Sequence, residues 1–432
     1  MDSLSVADFV AFYEEVHGYG PFPWQVALLA RVHREGWPAL LDVPTGLGKT
    51  SLLDVAVFAA ALGCSDARRR VFFVVDRRLI VDEAFRHACR IRSALERAEA
   101  GSVAGRVAAV LRARSGGEGL EVTRMRGGVT WSWRWVERPD QYAIVVGTVD
   151  QIGSRLLFRG YGLSDSLRPI DAALVGTDSL IVVDEAHLSQ PFLTTLGDAL
   201  SMDTTPADAQ PRVVSMTASP NSDSTRVHTI TTDDEANRFA RQRLHARKHG
   251  YLVEVSGTTK KNNHQQTAAA LAQWAGHLAR EHRVVGVVCN TVARARAVFE
   301  ILRGQHPDQC LLLTGRIRPV DRDYLLLKWY DRIKAGCDTD PEEPIFAVAT
   351  QTVEVGANLD FSALVTESAS LPALVQRLGR LNRLGRMESA APAVIVHSPH
   401  DPDGVYGEAR ANTWAWLPGP EVSPWQNLSP AG

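Results

Sequence analysis

Cysteines and long apolar runs are scarce in this sequence. Its five cysteines are widely spaced and odd in number. They form neither a disulfide framework nor a zinc-binding pattern, which indicates a reducing compartment such as the cytoplasm. The longest apolar stretch, Val55–Leu62, is far too short to span a membrane. Asp2 and Asp8 precede any long apolar run, which is not the pattern of a secretory signal.

Charge of one sign is also lacking. The formal net charge is −2 over 432 residues, which excludes a basic coat over the whole surface but leaves room for a local basic groove. Only six of the 47 basic residues are lysine, so arginine dominates. Arginine has the rigid donor geometry that suits phosphate. An arginine-rich codon usage is an equal explanation of this bias.

The chain is long enough for two or three domains, and its first half alternates strand and helix patterns. Continuous Val, Ile and Leu runs of this kind predict strands of a parallel sheet that is covered on both faces. Helical spacing is expected over Lys49–Leu62 and Leu79–Arg97. The predicted strands are Ala39–Val43, Val71–Val75, Ala143–Gly147, Leu180–Val183 and Arg212–Met216.

A polar segment, Asn221–Asn237, predicts a domain boundary, after which the same alternation begins again. A helix is expected near Gln265–Ala279. The predicted strands of the second half are Leu252–Val255, Val284–Cys289, Cys310–Leu313, Ile345–Ala349, Leu364–Thr366 and Ala393–His397. We therefore predict two α/β domains, residues 1–235 and 236–400. Residues 401–432, with several Pro and Gly, are expected to be an extended strap or a truncated linker.

The strongest motif follows the first predicted strand. Gly46 and Gly48 let the backbone approach an anion closely, and the following helix N-terminus favours phosphate. We expect Lys49 to reach the β- and γ-phosphates and Thr50 to bind Mg²⁺. Val43 stands where the usual pattern has its first glycine. The residues expected around the nucleotide are Pro44, Thr45, Gly46, Leu47, Gly48, Lys49 and Thr50.

A second motif, Asp184-Glu185-Ala186-His187, follows the strand Leu180–Val183. A carboxylate at that position can hold Mg²⁺, so we predict that Asp184 is a metal ligand together with Thr50. Glu185 is expected to activate the attacking water, and His187 to sense the γ-phosphate. The third motif is Gln376 to Arg383. Arg380 and Arg383 are expected three residues apart on one helix, as arginine fingers from the second domain, with Gln376 beside the nucleotide.

In combination, these motifs resemble those of a superfamily 2 helicase of the DEAH type. More closely, they resemble the helicase of type I CRISPR interference, the helicase-nuclease recruited by the Cascade surveillance complex. The resemblance covers roughly residues 22–396. It implies two tandem RecA-like parallel-sheet domains with ATP and Mg²⁺ in the cleft. It also implies ATP-driven 3′-to-5′ movement on single-stranded DNA.

The resemblance also implies roles for individual residues. Gln25, in Phe22-Pro23-Trp24-Gln25, is similar to the residue that reads adenine. Met216-Thr217-Ala218-Ser219 stands where a coupling motif is usual. Gly356 and Asp360 lie in the segment that links nucleotide state to DNA grip and are expected near the nucleotide. The residues expected to contact the strand are Arg77, Arg78, Arg126, Gly127, Thr148, Asn290, Arg316, Thr350 and Gln351.

Two features of the sequence do not follow this pattern directly. The family carries an HD nuclease, but His400-Asp401 is the only His-Asp dipeptide and has no further His ligands nearby. The nuclease is therefore expected on a removed segment or a separate polypeptide. The aromatic cluster Trp131–Trp135 is either a base-stacking platform or a hydrophobic patch that packs a surface insertion.

Two other functions fit the same nucleotide motifs. An RNA helicase would have the same nucleotide site, because discrimination rests on 2′-hydroxyl contacts that the sequence does not reveal. A nucleotide-gated clamp would close on nucleic acid without unwinding it. Stimulation of ATPase activity by RNA but not by DNA would favour the RNA helicase. Strand displacement with a tailed duplex distinguishes a clamp from a motor.

Overall fold

The computed structural model of the chain describes residues 3–76, 78–126, 129–130, 134–217, 226–255, 260–315, 317–337, 342–354, 358–399 and 405–417. Contacts divide the chain into two compact units, Met1–Ala240 and Arg241–Gly432. The boundary that the sequence predicts after residue 235 lies close to this division. Among the described residues, no helix combines the length and the apolar character needed to cross a bilayer.

Unit 1 contains an eight-stranded sheet in the order β4-β3-β5-β2-β6-β7-β1-β8. All its neighbouring strands are parallel except the β3–β4 pair. The strands are β1 (Leu40–Asp42), β2 (Arg70–Val75), β3 (Glu121–Arg126), β4 (Val129–Thr130), β5 (Ala143–Thr148), β6 (Ser179–Val183), β7 (Arg212–Thr217) and β8 (Val227–Thr229).

Helices cover this sheet. They are α1 (Asp8–His17), α2 (Pro23–Glu35), α3 (Leu52–Leu62), α4 (Arg78–Arg97), α5 (Val103–Ala113), α6 (Arg134–Glu137), α7 (Val149–Leu156), α8 (Arg168–Gly176), α9 (Gln190–Met202), α10 (Thr232–Ala236) and α11 (Arg238–Leu244), which crosses the division. Every residue of β2, β5 and β6 is buried. Their continuous apolar runs are explained by their central position, since both faces of the sheet are covered.

Unit 2 contains a six-stranded sheet in the order β11-β12-β10-β13-β14-β9, with all strands parallel. The strands are β9 (Lys248–Glu254), β10 (Val284–Val288), β11 (Cys310–Leu313), β12 (Ile345–Ala349), β13 (Ala363–Glu367) and β14 (Ala391–His397). The helices are α12 (Lys260–Leu278), α13 (Val292–Gln305), α14 (Pro319–Ile333), α15 (Leu371–Leu378) and α16 (Glu408–Trp416).

The fold class predicted from the sequence is confirmed, and so is each predicted strand to within a few residues. Each unit is a parallel α/β sheet of the RecA-like kind. Its loops leave the carboxyl ends of the strands at one edge, which is where ligands bind in such sheets. In unit 1, the order β6-β7-β1 places the loops after β6 and β1 on either side of β7.

The polar segment Asn221–Asn237, which the sequence predicts to mark a domain boundary, also contains β8, which pairs with β1. The structure corrects the expectation for the C-terminal tail. Residues 405–417 are not an extended strap. They contain α16, and Trp414 stacks on His397 with ring centroids 4.4 Å apart. Aromatic burial against the β14 end therefore draws this part of the tail into the core of unit 2.

Residues 131–133 of the aromatic cluster lie outside the described residues, so Trp135 is the one tryptophan of the cluster that the structure describes. Trp135 is 1% exposed and meets Phe72 edge-to-face at 5.8 Å. This placement favours the packing alternative for Trp135, since a buried ring cannot serve as a stacking platform.

Candidate nucleotide site

The loop after β1 turns sharply at two glycines. Gly46 and Gly48 have φ angles of 91° and 73°, in the left-handed region that glycine adopts without steric cost. The chain then enters a 3₁₀ turn, Lys49–Ser51, which leads into α3. The N-terminus of a helix presents unpaired N–H groups to an anion. The loop therefore has the backbone course expected of a phosphate-binding loop.

Lys49 and Glu185 come from separate motifs and meet at this loop. Their Nζ and Oε1 atoms lie 3.4 Å apart, with side chains only 10% and 7% exposed. An ion pair so screened from water is stronger than one on the surface. Burial raises the pKa of Asp42, at the end of β1, although the nearby Lys49 ammonium opposes that shift. The Lys49 ammonium therefore has one carboxylate, Glu185, in direct contact and a second, Asp42, near enough to be affected by its charge.

The loop after β6 positions Asp184, Glu185 and His187. Oδ1 of Asp184 accepts the backbone N–H of Glu185 at 3.0 Å. Glu185 has a φ of 48°, in a region that non-glycine residues seldom adopt. Such backbone strain is typical of functional sites. His187 Nδ1 lies 3.6 Å from Oε2 of Glu185, which is too long for a direct hydrogen bond.

The first turn of α2 contacts the phosphate loop. Gln25 is fully buried, its Oε1 accepts the N–H of Phe22 at 2.9 Å, and its Nε2 lies 3.4 Å from the carbonyl oxygen of Gly48. The indole N–H of Trp24 donates to the carbonyl of Leu47 at 3.0 Å. Gln25 and Trp24 therefore fix the backbone of the loop at adjacent residues.

Two further contacts support this arrangement, and sequence reasoning missed both. The hydroxyl of Tyr13 lies 2.8 Å from that of Ser51, the last residue of the turn Lys49–Ser51. Asp234 accepts the backbone N–H of Trp24 at 3.0 Å. Ser51 directly follows the motif, but nothing in the sequence links it to Tyr13. The separation of Trp24 and Asp234 by 210 residues explains why this contact was not anticipated.

In unit 2, Arg377 lies within the third motif, Gln376 to Arg383, and connects several neighbouring residues by hydrogen bonds. Its guanidinium is fully buried and bonds Oε1 of Glu354 at 2.8 and 2.9 Å. It also donates to Oδ1 of Asn290 at 2.9 Å and to the hydroxyl of Thr366 at 2.8 Å. Tyr406, just before α16, donates to the same Glu354 oxygen at 2.9 Å. Arg377 was not among the predicted site residues, although it lies between Gln376 and Arg380.

The prediction that Arg380 and Arg383 lie on one helix is wrong. Helix α15 ends at Leu378, and the chain turns at Gly379 so that Leu381 can form a β-bridge with Phe361. Arg380 is 3% exposed and donates to the carbonyl oxygens of Val353 and Glu354 at 3.0 and 2.9 Å.

The other residues of unit 2 that were predicted near the nucleotide are placed as follows. Asp360, expected near the nucleotide, accepts the backbone N–H of Arg383 at 2.7 Å. Burial raises the pKa of Asp360, while the Arg383 backbone N–H and guanidinium oppose that shift. Gln376 is buried in α15, and Gly356 lies outside the described residues.

The residues expected to contact a nucleic-acid strand are placed unevenly. Thr148 ends β5, and Arg78 and Arg126 lie at the start of α4 and the end of β3. Asn290 is buried, with Nδ2 donating to the carbonyl of Ser368 at 2.9 Å and Oδ1 bonded to Arg377. The structure thus places this side chain in the interior rather than on a strand-facing surface. Gln351 donates to the carbonyl of Asn290 at 2.7 Å, and Thr350 is also buried. Arg77, Gly127 and Arg316 lie outside the described residues.

The two-unit fold defines the class, an α/β protein built on two RecA-like units. Comparisons with known proteins agree. Residues 19–222 match the family model "Type III restriction enzyme, res subunit", and residues 280–386 match "CRISPR-associated nuclease/helicase Cas3, C-terminal". These matches confirm the resemblance drawn from the motifs, since the second half of the chain is similar to the C-terminal part of the CRISPR-associated Cas3 nuclease/helicases.

Individual relatives show the same relationship. The chain is 32% identical over 181 residues to a putative CRISPR-associated nuclease/helicase Cas3 of Myxococcus xanthus (strain DK1622), a match over 41% of this chain and 23% of that protein. The crystal structure of T. fusca Cas3-ATP superposes with a TM-score of 0.59 and 18% identity, over 93% of this chain and 49% of that one. The structure of the DEAD-box helicase Mss116 bound to ssRNA and UDP-BeF superposes with a TM-score of 0.60 and 12% identity. This match covers 92% of this chain and 76% of that one.

The chain therefore spans about half of the T. fusca Cas3 chain, and the curated match covers about a quarter of its relative. The identities to both solved structures are low, so these two likenesses concern the fold.

Proposed function

We propose that the chain hydrolyses ATP in unit 1 and uses that reaction to move along a nucleic-acid strand, as a DEAH-type helicase. The observation that carries this proposal is the approach of Lys49 to Glu185 at 3.4 Å under the phosphate loop. It brings the two halves of a nucleotide hydrolase together from positions 136 residues apart. Two left-handed glycines and a buried lysine on the loop after β1, facing a strained glutamate on the loop after β6, support this proposal.

The residues of unit 1 take distinct roles in this proposal. The backbone of Gly46 and Gly48 and the ammonium of Lys49 bind the phosphates. Glu185 accepts a proton from the attacking water when phosphate has drawn Lys49 away. Gln25 and Trp24 hold the loop in position, and Gln25 becomes available to the adenine edge if its contact with Gly48 opens.

The donor atoms at this loop suit Mg²⁺. The Thr50 hydroxyl and the Asp184 carboxylate supply the hard oxygen ligands that this ion takes. When bound, Mg²⁺ neutralises charge that develops on the β- and γ-phosphates. Asp184 is oriented for this role through its bond to the Glu185 N–H, so the same loop fixes both the metal ligand and the general base.

We assign to unit 2 the residues that respond to the bound nucleotide. Arg380 and Arg383 are the proposed arginine fingers, and Asp360, Gly356 and Gln376 act with them. Two carbonyl contacts hold the Arg380 guanidinium at Val353 and Glu354. Thr350, Gln351 and Glu354 belong to the segment proposed to contact the strand. A change at Arg380 would therefore reach this segment through direct hydrogen bonds.

The strand is proposed to be single-stranded DNA, travelled 3′-to-5′, in type I CRISPR interference in the cytoplasm. The support is the family match of residues 280–386 to Cas3 and the 32% identity to a Cas3 protein. On this proposal a Cascade-type complex recruits the chain. An HD nuclease, on a further segment or a separate polypeptide, cuts the DNA. Backbone contacts to the strand make the movement independent of sequence.

RNA is the second candidate strand, because Mss116 with bound ssRNA has a fold as similar as that of Cas3. The test is ATP hydrolysis by the purified chain with single-stranded DNA, with single-stranded RNA and without nucleic acid, beside Lys49→Ala. Stimulation by DNA that the variant loses supports the proposal. Stimulation by RNA alone supports an RNA helicase. Turnover that survives in Lys49→Ala contradicts the assigned site.

A further inference from the structure

A cluster of two histidines and one aspartate lies behind the phosphate loop, and the proposed hydrolysis does not use it. Nε2 of His17, at the end of α1, lies 2.8 Å from Oδ1 of Asp54. Nε2 of His87, on α4, lies 2.5 Å from the other oxygen, Oδ2. The two imidazole rings stack with centroids 4.9 Å apart. One ligand atom from each residue falls within 4.8 Å of the other two.

The ligand atoms of this cluster are enclosed by protein. The Asp54 and His17 side chains are both 0% exposed. A buried carboxylate is costly unless a cation or hydrogen-bond donors compensate its charge. His87, which is 15% exposed, is the one member of the cluster that solvent reaches.

We propose that His17, Asp54 and His87 bind one divalent transition-metal ion, with Zn²⁺ as the most suitable species. Two imidazole nitrogens and a carboxylate match the preference of zinc, whereas Mg²⁺ seldom takes nitrogen ligands. Tetrahedral zinc separates its ligand atoms by roughly 3.3 Å, given bond lengths near 2.0 Å. The present spacings are 2.8 Å for His17 and 2.5 Å for His87, so each imidazole has to move away from Asp54 by roughly 0.5–0.8 Å to admit the ion.

The position of the site suggests what the ion would do. Asp54 lies in the first turn of α3, the helix that leaves the phosphate loop. Tyr13 packs on His17 with ring centroids 4.4 Å apart and reaches Ser51 in the loop itself. A bound ion would therefore tie α1 and α4 to the helix behind the loop. It would stabilise the nucleotide site without touching the nucleotide.

The test uses the untagged chain, stripped of metal with a chelator, loaded with Zn²⁺ and freed of excess by gel filtration. Metal analysis should give about one zinc per chain in the wild type and at least a tenfold lower content in His87→Gln. His245→Gln, on an exposed histidine, is the matched control and should retain the zinc. Lys49→Ala should also retain it, which separates this site from the nucleotide site.

A second measurement does not depend on a folded variant. Loading the wild type with Co²⁺ should produce the intense visible absorption of a four- or five-coordinate ion with nitrogen ligands. The weak spectrum of hexa-aqua cobalt, or equal zinc in wild type and His87→Gln, would overturn the proposal. The two imidazoles would then serve only as hydrogen-bond partners of Asp54. The zinc content is independent of ATP turnover, so failure here leaves the proposed function standing.

Discussion

Nζ of Lys49 lies 3.4 Å from Oε1 of Glu185, and both side chains are largely buried. The two residues therefore hold each other in the arrangement described here, at the place where a phosphate would bind. On the proposed function, a bound phosphate competes with Glu185 for the Lys49 ammonium. Glu185 would then be released to act as a base when nucleotide is present.

The first prediction concerns this pair. Glu185→Gln should lose ATP turnover, on the order of a hundredfold or more, because the base is removed. ATP binding should persist or tighten, since the Glu185 carboxylate no longer competes for Lys49. Lys49→Ala should lose both binding and turnover. Fluorescent-nucleotide binding and steady-state hydrolysis measure the two effects, and near-normal turnover in Glu185→Gln would contradict the assigned role.

The second prediction concerns Arg380. Arg380→Lys should leave ATP binding within a few-fold of the wild type and slow hydrolysis on the order of a thousandfold, as expected for an arginine finger. Arg303→Lys, on the exposed face of α13, is the matched control. Because Arg380 also bonds two backbone carbonyls, thermal unfolding must be compared. A slow variant with a strongly lowered Tm would indicate a structural role instead.

The third prediction concerns Trp24. Trp24→Phe keeps the buried ring but removes the N–H that bonds the Leu47 carbonyl. An unpaired buried carbonyl costs roughly 1–3 kcal/mol in the free energy of unfolding. The phosphate loop should loosen, so the KM for ATP should rise more than kcat falls. Trp416→Phe, at a residue 68% exposed, should change neither quantity. Equal behaviour of the two variants would contradict the role of Trp24.

The fourth prediction is a pH dependence in unit 2. Burial, with a smaller effect from Arg410, lowers the pKa of His397 from 6.5 to about 4. The unfolded chain therefore binds the proton more tightly. This contribution to stability is complete above pH 6.5 and declines as the pH falls towards 4. The full loss is at most about 3 kcal/mol, from about 1.4 kcal/mol for each pKa unit.

The comparison with His397→Asn isolates this histidine. Asparagine can still accept the Ser368 hydroxyl, which lies 2.8 Å from Nδ1 of His397. Urea unfolding at several pH values should show a shallower decline in the variant between pH 6.5 and 4. Parallel curves for the two proteins would show that His397 is not the group responsible.

The sequence predicted those features that depend on contiguous residues. The strands were recognisable because central parallel strands are apolar throughout, and the phosphate loop because Gly46, Gly48 and Lys49 lie close together. The end of α15 at Leu378 was not predicted, since a bridge between Leu381 and Phe361 overrides the local helical preference. Tertiary pairing of this kind is not visible in local spacing.

The polar centres were harder to predict for the same reason. Arg377 draws partners from β13, from the loop after β10 and from Tyr406 near α16, which no local pattern indicates. Likewise, His17, Asp54 and His87 come from three helices, and each alone resembles an ordinary polar residue. Sequence reasoning therefore located the nucleotide loop but not the contacts that hold it.

Strand displacement tests the central claim most directly. The wild-type chain and Glu185→Gln are incubated with ATP, Mg²⁺ and a DNA duplex that carries a single-stranded tail at either its 3′ or its 5′ end. The account predicts ATP-dependent unwinding of the 3′-tailed duplex by the wild type and none by Glu185→Gln. ATP hydrolysis stimulated by DNA but without displacement of either duplex would contradict a motor and indicate a nucleotide-gated clamp.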